Sequence, residues 1–254
     1  MSINFPKYFD PLSFKVTLVG TYSTGKAPKP SNCQVGTGFF FRKDDEKYLI
    51  TNRHVVIDET QQNFPDFLII EVHTDKSSLP KTRSIEIPLY NGNKKVWKEH
   101  PDNLLIAEPD EKIDVIALRL SDYLQEQDWI DFFTKNDLPD ENFLLNLGDS
   151  CIIIGYPKGF HDETNYLPIA RSGSIASNWG IFFNNRKCFL VDSKLHPGTS
   201  GSPVVIPSAT SRTDKKGPGI GLWPPVLIGV NSRRCPGYLN LYETWYSELI
   251  PEII

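Results

Sequence analysis

The sequence predicts an all-β protein: two six-stranded antiparallel β-barrels, joined by a connector helix and ended by a C-terminal helix. Two observations carry this. Twenty prolines and seventeen glycines spread along 254 residues cut the apolar runs into many short segments. That pattern favours strands over a few long helices. The composition, 39% hydrophobic and 23% charged, is that of an ordinary globular chain, long enough for one large core or two packed halves.

The elements follow in order. Residues 14–19 alternate as a strand, and residues 20–34 read as a turn-rich loop. Residues 36–41 open a second strand, the charged residues 42–47 turn, and residues 48–52 return as its hairpin partner. Residues 67–72 and 84–89 are further strands, and residues 113–120 close the first barrel, which spans about 12–120. In the connector, about 121–146, residues 122–133 read as a short helix. The second barrel, about 147–238, takes strands at 150–155, 170–177, 188–192, 203–207 and 226–231. Over 239–254, Leu241, Trp245, Leu249 and Ile253 recur every fourth residue. That spacing predicts a helical stripe docked on the body.

Several function classes are disfavoured. The net charge is −4 and no long basic run exists, so neither nucleic acid nor an anionic membrane is an expected partner. The first ten residues lack a basic stretch followed by an apolar one, and no run approaches the roughly 20 apolar residues of a membrane span. Cys33, Cys151, Cys188 and Cys235 are far apart, with no C-x-x-C pair, and no N-x-[S/T] sequon occurs. A cytoplasmic location with buried, unbridged cysteines is expected. His73, His100, His161 and His196 show no paired ligand spacing, so no metal site is expected. The Gly20 to Lys26 stretch matches the opening of a phosphate-binding loop, but Ala27 replaces the magnesium-ligating hydroxyl and Pro28 and Pro30 obstruct the helix.

The chemistry concentrates in three segments. Pro197-Gly198-Thr199-Ser200-Gly201-Ser202-Pro203 sets a serine in a glycine-framed turn, where consecutive N–H groups can face one small space. A serine hydroxyl needs a general base with a pKa near 7, which imidazole supplies. His54, in Thr51-Asn52-Arg53-His54-Val55-Val56, leaves a strand directly into a short turn. Asp114, flanked by Ile113, Val115 and Ile116, is a shielded carboxylate able to orient that imidazole. Each residue alone has a bland reading: a capped surface histidine, an edge-strand acid, a tight turn. The order His, Asp, Ser, with each group in its required setting, makes coincidence improbable. The candidate catalytic set is therefore His54, Asp114 and Ser200, with the amides of Gly198 and Ser200 as oxyanion donors and no cofactor.

These motifs resemble the chymotrypsin-like, or trypsin-like, serine peptidases. The likeness is greatest to the bacterial high-temperature-requirement and glutamyl-endopeptidase branch. Gly36-Thr37-Gly38-Phe39 is similar to the family's G-S-G-F, and Thr51 to Val56 to its T-N-x-H-V-V. Leu147 to Pro157 resembles the start of its second barrel, and Leu227 to Ser232 the strand lining its specificity pocket. The resemblance spans about residues 14–235. It implies the double barrel, a cleft between barrels, and peptide-bond hydrolysis of a protein or peptide substrate. Thr199 stands where animal trypsins carry aspartate, so activation by a new amino terminus is not expected. Ser202 replaces a glycine, and no PDZ domain is expected. By the same analogy Lys194, His196, Ser232, Arg233 and Arg234 wall the primary pocket, implying an acidic side chain at the cleaved residue unless the arginines point outward. Two readings stay open: an active endopeptidase, with an activating partner protein as one option, or a latent or inactive protease-fold binding module.

Overall fold

The computed structural model describes residues 9–25, 34–237 and 239–254. The first eight residues, Lys26 to Pro30 with the end of the phosphate-loop-like motif, and Cys33 lie outside them.

The first half is a curled sheet. Its strands are β1 (Val16–Tyr22), β2 (Gln34–Lys43), β3 (Glu46–Thr51), β4 (Phe67–His73), β5 (Thr82–Pro88), the small hairpin β6 (Tyr90–Asn91) and β7 (Lys94–Lys95), β8 (Trp97–Glu99) and β9 (Ile116–Arg119). A one-turn helix, α1 (Arg53–Val56), follows β3. The β2–β3 hairpin turns at Asp44 and Asp45, with Lys43 opposite Glu46. Asp44 sits at φ 53°, a left-handed setting that aspartate tolerates. Strand order is β5-β4-β1-β2-β3-β9-β8, seven strands with β5 and β8 as edges. The expected closed six-stranded barrel is therefore corrected here to an open seven-stranded sheet. Its far edge is β8, only three residues long, beyond the reach of pattern reading.

The second half is a closed barrel, and here six strands are found. They are β10 (Ser150–Gly155), β11 (Ile169–Ile175), β12 (Cys188–Asp192), β13 (Pro203–Ile206), β16 (Val226–Arg234) and β17 (Leu241–Tyr246), closing in the order β10-β11-β12-β17-β16-β13. Between β13 and β16 projects an exposed hairpin, β14 (Ala209–Asp214) and β15 (Gly217–Trp223), bearing Ile220 and Leu222 in solvent. The overall architecture is the all-β, chymotrypsin-like double fold.

Both predicted helices fail in their stated extents. Residues 122–133 form turns and extended chain, because tertiary partners satisfy their amides: Trp129 N donates to His73 O (2.7 Å), Asp131 N to Phe14 O (3.0 Å) and Phe133 N to Phe40 O (2.9 Å). Their aromatic side chains pack inward, and Phe133 is fully buried against Phe39. Near the C-terminus, Leu-Tyr-Glu-Thr-Trp-Tyr is strand β17, inserted between β12 and β16, and only α2 (Leu249–Ile253) is helical. The aromatic and β-branched content of that run suits a pleated surface.

A shared core joins the halves: Phe39, Tyr48 and Ile50 from the first meet Ile154, Val205, Leu227 and Trp245 from the second. Burying such side chains contributes roughly 1.5–3 kcal/mol each. The seam between the halves is where the three catalytic candidates fall. Register slips in β16 between Asn231 and Arg234. Such an irregularity re-aims side chains, and here it includes Ser232.

Candidate active site

His54 is held by what precedes it. Strand β3 ends at Thr51, and Asn52 is the extended residue (φ −79°, ψ 151°) from which α1 starts. Arg53 is buried and ion-paired to both Glu59 and Glu99, each at 2.9 Å. Burial works against the Glu99 carboxylate, but Lys95 and Arg53 hold its pKa down to about 2. This anchored arginine presents the next residue, His54, at the rim.

Asp114 lies two residues before β9 and accepts three hydrogen bonds. His54 Nδ1 donates to Oδ2 at 2.7 Å, His54 N–H to Oδ1 at 2.8 Å, and Ser232 Oγ to Oδ2 at 2.6 Å. Asn52 Nδ2 holds the Asp114 carbonyl at 2.6 Å. A carboxylate can only accept, so it selects the imidazole tautomer with hydrogen on Nδ1, leaving Nε2 as the free acceptor. Burial opposes protonation of His54, yet the charge and hydrogen bond of Asp114 outweigh it and raise the imidazole pKa. Burial likewise favours a neutral Asp114, but the His54 charge, with bonds from His54 and Ser232, lowers its pKa. The pair is thus an ionised acceptor behind a basic imidazole.

The serine turn needs both its glycines. Gly198 has φ +94°, and a Cβ there would lie 2.6 Å from Tyr156 O. Gly201 has φ +84°, and a Cβ would lie 2.0 Å from Thr37 O. Both combine left-handed backbone with close approach, which only glycine satisfies. Among the described residues, the amides of Gly198 and Ser200 have no acceptor, while Thr199 N–H turns back to His196 O at 3.3 Å. Gly198, Ser200, Pro197, Lys158 and His54 line one cleft of about 460 Å³. No hydrogen bond joins Ser200 Oγ to His54. In unliganded active sites such contacts are often long and tighten with substrate.

The expected pocket residues fall differently. Ser232 donates to Asp114 rather than serving only as a wall. Arg233 Nε pairs with Glu243 at 3.0 Å and its NH2 group donates to Asp110 O at 3.0 Å. Arg234 Nε donates to Leu239 O at 2.9 Å. Lys194 is exposed, and the His196 carbonyl accepts from Thr199. Arg233 is thus paired with an acid, whereas Arg234 meets only neutral acceptors, Leu239 O and Asn240 Oδ1. Sequence reasoning passed over Asn52, Arg53, Thr37 and Asn231, although all four lie inside or beside the motifs it used. Their signal was neighbourhood, not pattern.

Residues 36–209 match the family model of the trypsin-like peptidase domain. The chain belongs to that family. Solved structures agree on the fold of this trypsin-like domain. A thermostable serine protease from an extremophilic microorganism aligns with TM-score 0.56 at 12% identity, covering 96% of this chain and 97% of its own. The serine endoprotease from Yersinia pestis aligns with TM-score 0.53 at 15% identity over 94% of this chain. The trypsin-like domain spans 61% of that Yersinia chain. No curated protein sequence matches. Among the described residues, no helix is long and apolar enough to cross a membrane.

Proposed function

We propose that this trypsin-like domain is a serine endopeptidase acting through an acyl-enzyme, with His54, Asp114 and Ser200 as its triad. The observation that carries the reading is the Asp114 carboxylate, bonded by both Nδ1 and the backbone amide of His54 while His54 lines the same cleft as Ser200. His54 Nε2 takes the Ser200 proton as Oγ attacks the scissile carbonyl carbon. The resulting oxyanion is met by the Gly198 and Ser200 amides, each donor contributing about 2.7–4 kcal/mol in such sites. The C–N bond then breaks, His54 delivers its proton to the departing amine, and water repeats the sequence to release the acyl group.

The test is labelling by a fluorophosphonate, together with peptide turnover by the parent and Ser200→Ala. The parent is expected to label at Ser200 and to turn over, and Ser200→Ala to do neither while keeping its fold. Unlabelled parent, or unimpaired Ser200→Ala, overturns the assignment. The alternative reading, a latent or inactive protease-fold binding module, has one observation in its favour: Ser200 Oγ and His54 are not hydrogen-bonded. A folded parent that stays unlabelled is its expected signature, whereas labelling that appears only on adding a partner protein marks a partner-activated endopeptidase.

A further inference from the structure

Four consecutive carbonyls of the serine turn are each held from outside it. Lys158 N–H donates to Pro197 O at 2.5 Å, Thr37 Oγ1 to Gly198 O at 2.7 Å, Asn231 Nδ2 to Thr199 O at 2.9 Å, and Thr37 N–H to Ser200 O at 2.8 Å. All described peptide bonds are trans, and in a trans unit the N–H points opposite to the C=O. Fixing Pro197 O therefore turns Gly198 N–H away from Lys158. Fixing Thr199 O turns Ser200 N–H away from Asn231. These are the two amides left without an acceptor.

The holders are built to stay put. Thr37, on β2, and Asn231, on β16, are both 0% exposed. The Thr37 hydroxyl has a second duty: it accepts from Tyr156 N–H at 3.1 Å. It thereby ties down the start of the turn that supplies the Lys158 amide, and one hydroxyl supports two of the four locks. A buried donor aimed at a carbonyl is worth most where no water can replace it. Thr199 itself is neutral, and its hydroxyl is spent on His196 O at 2.8 Å.

We infer that Thr37 and Asn231 are positioning residues that preset the two oxyanion-binding amides, so that the serine turn is competent without a newly cleaved amino terminus. The inference rests on the reading of Ser200 as nucleophile, but its geometry can be tested apart from turnover. Thr37→Val keeps shape and main-chain amide but loses the hydroxyl, and Thr37→Ser keeps the hydroxyl. Asn231→Asp keeps shape but sets an acceptor against Thr199 O. Crystal structures report the orientation of the Pro197–Gly198 and Thr199–Ser200 peptide planes, and peptide hydrolysis reports kcat and KM. Thr37→Val and Asn231→Asp are expected to rotate one of those planes. They should lower kcat about 10- to 100-fold, less than deleting a donor outright, with KM within about threefold. Thr37→Ser is expected to restore both plane and kcat. Planes unmoved in both variants, a loss falling on KM instead of kcat, or Thr37→Ser as impaired as Thr37→Val would overturn the inference. Should Asn231→Asp not fold, Thr37→Val decides alone. A parent that lacks turnover while the planes rotate in Thr37→Val would sink the peptidase reading and leave the positioning role standing.

Discussion

Replacing Asp114 by asparagine probes the site at its most connected atom. Oδ2 receives both His54 Nδ1–H and Ser232 Oγ–H, and Oδ1 receives the His54 amide. An asparagine places NH₂ against two donors or against one, and neither arrangement keeps all three bonds. The imidazole escapes the clash by moving its hydrogen to Nε2, where it can no longer accept the Ser200 proton. In a serine triad that tautomer error costs about 10⁴ in kcat, or about 5.4 kcal/mol at 1.36 kcal/mol per decade. The pH profile adds an independent readout. With Asp114 present the His54 pKa is raised, so kcat/KM should climb through a midpoint above the ordinary histidine value of about 6.5. In Asp114→Asn burial remains with the weaker, opposing charges of Asp58 and Arg233, and the midpoint should move down. Stability responds in a defined window as well. The raised His54 pKa contributes stability that is complete below about pH 6.5 and fades as pH rises through the folded value. The lowered Asp114 pKa contributes stability present above about pH 3.9 and lost as pH falls through the folded value. The difference in Tm between parent and variant should therefore be greatest between about pH 4 and 6.5. Initial-rate kinetics on one peptide substrate across a pH series from 5 to 9, with thermal melts from pH 3 to 9, measure all three quantities. A variant within tenfold of the parent in kcat/KM, with an unmoved midpoint, would refute the reasoning.

Four further outcomes follow from the same geometry. Ser232→Ala removes a charge-assisted donor to Asp114 and should lower kcat about tenfold; an unchanged KM in steady-state kinetics separates orientation of Asp114 from contact with substrate. Gly198→Ala forces a Cβ to within 2.6 Å of Tyr156 O at φ +94°, costing about 1–3 kcal/mol, and loss of fluorophosphonate labelling before loss of circular dichroism would show it. Arg53→Met leaves Glu99 to Lys95 and Glu59 to Lys112 but removes their buried partner, and should cost about 1.5–3 kcal/mol; urea melts read this directly. Burial pushes the Cys151 and Cys188 thiols up to about 12, so iodoacetamide at pH 8 should leave both unmodified until the chain is unfolded.

Strands were legible where a short apolar run was bounded by polar or turn-forming residues, as at β10 and β12, whose limits match the sequence reading. The C-terminal run was misread for a physical reason. Four is an even number, so Leu241 and Trp245 share one face of a strand as readily as one face of a helix. The connector was misread because His73, Phe14 and Phe40 carbonyls, remote in sequence, take up its amides and override local preference. The candidate catalytic residues were readable because each carries its own local context. Thr37 was not, since its chief bond reaches across 161 positions to Gly198 and leaves no period in the chain. Ser232 was placed near the site by its strand, but its bond to Asp114 needed coordinates.

The imidazole and its carboxylate ride on the open sheet, while the hydroxyl rides on the closed barrel. A slip of one ångström between these two bodies is enough to cost a hundredfold in rate, although neither would have begun to melt. In dilute urea or on gentle warming, this protein should fall silent while its spectra still look native. Turnover is therefore the most sensitive gauge of how firmly its two bodies grip each other.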